Sequence, residues 1–348
     1  MKKLTRREVV RWMVIQLGAL AGGRFLSACG RPEAPIHSTS PPGKAVSTST
    51  PAPTAPSTQT PVPPQRSPTS EPTATPDSYP HLAVVTGGDP EVLVRTALAI
   101  LGGMSRFVSP GDDVIVKPNI CVDYHTYEYA ATTNPWVVGA LVKLCFESGA
   151  ARVRVMDFPF GGTSGRAYVR SGIQEQVSAA GGLMEPISSF KFVSTEIPEG
   201  LDLRTCKIYE DILNADVVIN VPIAKHHSLA RLTLGMKNLM GTILNRPMMH
   251  QNLGQRLADL TSVVRPNLTV VDAVRILRAH GPTGGNLSDV QKLDTVVASH
   301  DIVAADGYAA TFFGLQPSSL TYVVAGEAMG LGRSDLENLS IERITVES

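Results

Sequence analysis

Short runs of Val, Ile, Leu and Ala punctuate the chain beyond residue 80, and the positions between them alternate in two different ways. Leu82–Thr86, Asp113–Lys117, Arg152–Asp157, Asp216–Val221, Leu268–Asp272 and Thr295–Ser299 have the length and β-branched content of buried strands. Helical spacing separates them. Asp89-Pro90-Glu91 places a cap, a first-turn proline and an acid before a helix that runs to about Gly102. Asn134-Pro135 opens a second helix, in which Val137, Val138, Leu141, Leu144 and Cys145 recur on one face before Gly149 ends it. Further helices are predicted near Leu234–Ile243, Gln251–Val264, Asp301–Phe313 and Ser319–Met329. Apolar strands alternating with helices predict an α/β fold, a mainly parallel β-sheet covered by helices on both faces.

The first 80 residues follow no such pattern. Thr5-Arg6-Arg7-Glu8-Val9-Val10 matches a twin-arginine export signal, and the apolar stretch behind it is interrupted by Arg11, Gln16 and Arg24, which is too weak for a spanning helix. An ordinary secretory signal is the alternative, and both export the protein. Leu26-Ser27-Ala28-Cys29 has the form of a lipoprotein processing box, with Cys29 the lipidated residue and new N-terminus. The expected organisation is a signal peptide over 1–29, a disordered linker over 30–80, and a folded domain over 81–348. Residues 31–80 hold 14 Pro, 8 Ser and 9 Thr, a composition that cannot build a core. As a coil this tether reaches on the order of 40 Å from the bilayer. The expected location is the outer face of the cytoplasmic membrane or cell envelope.

Charge changes the picture of the folded part. Residues 81–348 contain 22 Lys and Arg against 27 Asp and Glu, so nucleic acid is not an expected partner. Yet the 42 residues between Asp216 and Asp259 contain no acid and include Lys225, Arg231, Lys237, Arg246 and Arg256, with His226, His227 and His250. A local basic stretch in an acidic domain suits a small anionic ligand, carboxylate or phosphate; a solvated basic face is the alternative. Cys121, Cys145 and Cys206 show no iron–sulfur or zinc spacing, and whether any forms a disulfide stays open.

In sheets of this kind ligands gather beyond the carboxyl ends of the strands. The residues there are Lys117-Pro118-Asn119, Asp157, Lys225-His226-His227 and Asp272, with Gly284-Gly285 in the connection that follows. Lys117, Asn119, Lys237, Asn238 and the Gly284-Gly285 backbone are the candidate anion ligands. Asp157, His226 and His227 are candidates for moving protons, and Lys225 for a nucleophile or cofactor tether if burial lowers its pKa. His226, His227, His250 and Asp272 are the candidate metal ligands, although adjacent histidines on a strand face opposite ways.

Several motifs carry a resemblance. Lys117-Pro118-Asn119, Thr132-Thr133-Asn134-Pro135, Ala215 to Pro222, Lys225-His226-His227, Leu234 to Gly241, Val270 to Ala273 and Asp294 to Ser299 together resemble the domain of unknown function 362 family over essentially Leu82 to Ile344. Many of its members carry an iron–sulfur ferredoxin module, which implies redox or radical chemistry. That module has no counterpart in this sequence, so the resemblance implies a separate redox partner for any such cofactor. A fainter resemblance links the strand, loop and Lys237 region to lactate-racemase-like proteins, in which a lysine-tethered nickel cofactor acts on hydroxy acids, and implies a racemase or isomerase alternative. Two classes follow: an enzyme acting on a small anionic molecule, or a ligand-capturing surface lipoprotein. The twin-arginine signal favours the enzyme, because that route exports proteins folded around their cofactors.

Overall fold

The computed structural model describes residues 79–347. The twin-arginine motif, Cys29 and hence the membrane anchor, and the linker up to residue 78, fall outside the described residues. From its start the described chain runs β1 (Leu82–Thr86), α1 (Pro90–Ile100), β2 (Asp113–Pro118), α2 (Pro135–Glu147) and β3 (Arg152–Val155). Then come α3 (Ser164–Arg170), α4 (Ile173–Ala179), β4 (Leu183–Met184), the β5–β6 hairpin (Phe192–Glu196, Thr205–Tyr209) and α5 (Glu210–Asn214). The second half continues through β7 (Val217–Val221), β8 (Ile223–His227), β9 (Arg231–Thr233), α6 (Gly235–Asn238), α7 (Leu253–Val264), β10 (Leu268–Leu277), β11 (Val290–Ser299), α8 (Ile302–Ala310), α9 (Thr321–Ala328) and β12 (Ile341–Thr345).

The main sheet has the order β12-β1-β11-β10-β7-β2-β3-β4, with β8 and β9 attached beside β10. Its pairings are parallel except those of β11 with β1 and β10 and that of β9 with β8. The fold is α/β. Successive strand residues face opposite ways, so the strands feed two separate cores. Val114, Val116, Val217, Ile219, Val270 and Val296 point to the face covered by α1, α2 and α4. Ile115, Val218, Val271 and Val297 point to the other, covered by α7, α8 and α9. Strands buried on both faces explain why they read as continuous apolar runs rather than as alternation.

Local sequence sets the helix starts. Pro90 and Pro135 stand in the first turns of α1 and α2, and the Asn134 side chain accepts from the Trp136 N–H at 3.0 Å. Three expectations change. The strand expected over Leu268–Asp272 continues to Leu277, and the one over Thr295–Ser299 begins at Val290, because the two pair antiparallel past the sheet edge with a bulge between Ala273 and Arg275. The helix expected over Leu234–Ile243 is the short α6, followed by a 3-10 turn over Leu239–Thr242. Its start is fixed from outside, by the buried Asp306 carboxylate, which accepts the N–H groups of Gly235 at 2.5 Å and Met236 at 2.9 Å. Pro222 cannot donate to the ladder, and it divides one bent strand into β7 and β8, so Lys225 to His227 are strand residues.

Candidate functional site

Beyond the carboxyl ends of β2 and β3 lies a buried polar network. Lys117 is 1% exposed, and its ammonium donates to Asp157 Oδ1 at 2.7 Å, Asn238 Oδ1 at 3.1 Å and the Pro118 carbonyl at 3.0 Å. All three of its donors are therefore used within the protein. Asp157 Oδ2 accepts the Ile120 N–H at 2.6 Å. Asn238 bridges the rest: Oδ1 also accepts from Asn119 Nδ2 at 2.9 Å, while Nδ2 donates to Asn220 Oδ1 at 2.8 Å and to the Lys117 carbonyl. Gly241 lies directly on this pair. A Cβ there would fall on Asp157 Oδ1 and 2.6 Å from Lys117 Nζ, so only glycine lets the turn approach. Thr133 pins the loop, accepting from the Asn119 N–H and donating to the Val221 carbonyl, both at 2.8 Å. Burial lowers the pKa of Lys117, and the Asp157 charge opposes that shift.

In front of the network is a cavity of about 250 Å³. Its wall carries Lys225, Lys237, Arg246, His227 and His250, with Asp157 the one carboxylate among the described lining residues. Lys225 donates to the Ala131 carbonyl at 2.6 Å and has the Cys121 sulfur within hydrogen-bonding reach. Lys237 is 8% exposed and makes no hydrogen bond or ion pair with any described residue. Burial, reinforced by Lys225 and Arg246, pushes its pKa down to about 8. Arg246 is occupied: it donates to the carbonyls of Phe158, Pro159 and Met240 and lies over the Phe158 ring at 4.4 Å. His227 Nδ1 accepts the N–H groups of Leu229 at 3.1 Å and Ala230 at 3.3 Å, which assigns the ring proton to Nε2. Burial, then the Lys237 charge, pushes the His227 pKa down to about 3, so the ring is neutral.

The strand period sorts the expected residues. Lys225 and His227 share a face and reach the cavity; His226 faces away, with Nδ1 accepting the Gly281 N–H at 3.1 Å. Asn119, Asp157, Lys237, Asn238 and His250 also line the cavity, while Lys117 stands behind its wall. Gly284, Gly285 and Asp272 are not among the lining residues. Asp272 is fully buried and accepts the Asn134 N–H at 2.7 Å and the Val274 N–H at 3.0 Å, with its pKa raised to about 6 by burial. The four candidate metal ligands do not converge, and no group of three or more His, Cys, Asp or Glu suited to a metal occurs among the described residues. Cys121, Cys145 and Cys206 are free and buried.

Sequence reasoning missed Cys121, Thr233, Met240 and Gly241 as wall residues. Cys121 follows Lys117-Pro118-Asn119 at the same strand end, so its position was a usable signal. Thr233 lies on β9, a strand too short and mixed to have been read. The Oγ1 of Thr233 and the Oδ1 of Asn119 have no partner among the described residues, which leaves hydrogen-bonding capacity at the cavity wall.

Residues 114–311, more than half of the chain, match the family described as Domain of unknown function (DUF362). The chain belongs to this family. Every residue lining the DUF362 cavity lies within the matched span. The chain is also 29% identical over 255 residues to a thylakoid-associated protein of Synechocystis sp., covering 70% of this chain and 76% of that protein. Among solved structures it is similar to the lactate racemase apoprotein from Thermoanaerobacterium thermosaccharolyticum, with 11% identity and a TM-score of 0.43 over 68% of this chain and 58% of that one. A Thermotoga maritima protein is similar at 10% identity and a TM-score of 0.39, over 65% of this chain and 60% of the other. The chain thus spans less than two thirds of either solved structure. No helix among the described residues is long and apolar enough to cross a membrane.

Proposed function

We propose that this DUF362 protein is an exported, lipid-anchored enzyme that binds a small carboxylate or phosphate compound in the cavity beyond β2 and β3. The observation that carries the reading is the charge of the wall: Lys225, Lys237 and Arg246 face one carboxylate, and that carboxylate is already neutralised by Lys117. Such a cavity inside an acidic domain attracts anions. Lys225 and Lys237 are the positioning cations; Asp157 and the neutral His227 are the groups at hand for holding or moving protons. Asn119 and Asn238 keep the floor in place.

The location rests on Arg6-Arg7 and Leu26 to Cys29, and a thylakoid-associated relative is compatible with a membrane-bound life. Fractionation tests it: Cys29→Ala should release the protein from membranes, and unchanged membrane retention would end the lipid-anchor reading.

The anion reading is tested by thermal unfolding with sulfate, phosphate and small carboxylates. Each ligand that binds the folded state should raise Tm. Lys225→Met and Lys237→Met keep the apolar stem and delete the charge, so affinity should fall by roughly tenfold to a hundredfold, the equivalent of about 1.5–3 kcal/mol. Equal stabilisation of wild type and both variants by every anion would reduce the basic stretch to a solvated face.

A further inference from the structure

Three lysines approach this site, and they differ in what surrounds them. Lys117 has a carboxylate at 2.7 Å and no free donor. Lys225 is fully buried on a strand and tied to the Ala131 carbonyl. Lys237 has neither: its amine is nine-tenths buried on the cavity wall, without a hydrogen-bond partner among the described residues, and its charged neighbours are mostly cations. An amine in such surroundings is held as a free base more readily than any surface lysine, and a free amine is a nucleophile toward carbonyl carbon.

The opposing groups suit that reaction. His227 is a neutral ring whose Nε2–H is left to donate, because Nδ1 is occupied by two backbone N–H groups. It can polarise a carbonyl oxygen without competing as a cation. Lys225 lies on the same strand face as His227 and offers a charge for a carboxylate. The wall volume, about 250 Å³, is below the usual range of roughly 300–1,000 Å³ for drug-sized ligands. That limits the occupant to a small molecule.

Resting on the anion-binding reading and narrowing it, we propose that the ligand is a small 2-oxo acid whose carbonyl condenses with Lys237 to form an imine. The Lys237 nitrogen adds to the carbonyl carbon, forming the C–N bond. The two protons lost from nitrogen and the carbonyl oxygen leave together as water. No oxidant or reductant is consumed. The lowered pKa of Lys237 acts in the same direction, since about a tenth of the amine is uncharged at pH 7, far more than for an ordinary lysine.

The test uses the full chain with pyruvate, glyoxylate or 2-oxoglutarate as probe and sodium borohydride to fix any imine as a stable secondary amine, read by intact mass and peptide mapping. The expected result is an adduct on the peptide carrying Lys237. It should grow as pH rises through 8, be lost in Lys237→Arg, and be suppressed by excess lactate, which has the carboxylate and lacks the carbonyl. Adducts on surface lysines without one at Lys237 overturn the proposal. If pyruvate and lactate both raise Tm but borohydride fixes nothing on Lys237, the imine fails and anion binding stands. If neither probe class raises Tm nor labels Lys237, both readings fail.

Discussion

The floor and the wall of the cavity solve the burial of charge in opposite ways. On the floor, Lys117 is matched by Asp157 and held by Asn238, while the Ile120 N–H answers the second carboxylate oxygen, so both charges are answered by the protein. On the wall, Lys237 is almost as deeply buried and answered by nothing described, while the carboxylate nearest to hand is committed below. A matched pair serves structure, because breaking it strands a charge. An unmatched buried cation is costly for folding, and such costs concentrate where a ligand or a reaction recovers them. The contrast separates an internally paired floor from an unpaired wall within one small region.

The largest expected effect comes from breaking the floor. Asp157→Asn leaves Lys117 buried without its counter-charge and should cost about 3–5 kcal/mol of stability in denaturant unfolding. Adding Lys117→Met should recover part of that loss, since the stranded charge is gone. Additive losses from the two changes would mean that the pair is not energetically coupled.

The wall should respond with the opposite sign. Lys237 has a folded pKa of about 8 against about 10.4 in the unfolded chain. Between those values the unfolded state holds more protons at this residue, so its contribution makes stability rise with pH; below pH 8 the cost of burying the charge is fully present. Lys237→Met should therefore stabilise the ligand-free protein at pH 7 by up to on the order of 3 kcal/mol, with the gap closing as pH rises past 10. A Met variant that is less stable than wild type across this range would show that the protein does answer this cation.

Gly241→Ala probes the junction of the two. A methyl group at this position collides with Asp157 Oδ1, and shifting the turn away should cost about 1–3 kcal/mol. It also displaces the segment between Asn238 and Arg246, so anion binding should weaken with stability. Loss of stability with unaltered anion affinity would uncouple floor from wall.

The sequence by itself determined the α/β alternation, the starts of α1 and α2 at their Asx-Pro pairs, and the strand ends at which Lys117 and Asp157 stand. These are local facts, since strand and helix periods and proline geometry are written in neighbouring residues. The family motifs around Lys117, Lys225 and Lys237 were legible for the same reason. What only the tertiary structure decided is which of these polar residues meet. Asp157 and Asn238 close on Lys117 from segments 40 and 121 residues away, so nothing nearby in sequence marks Lys117 as spent. His226 and His227 were indistinguishable as a pair until Pro222 and β10 fixed β8 as a strand, after which its two-residue period sent one into the cavity and the other beneath Gly281. Asp272, expected at a strand end, lies inside β10 and holds the Asn134 N–H at the start of α2. Lys237 differs from Lys117 in having no partner among the described residues, and an absence of that kind exists only in three dimensions.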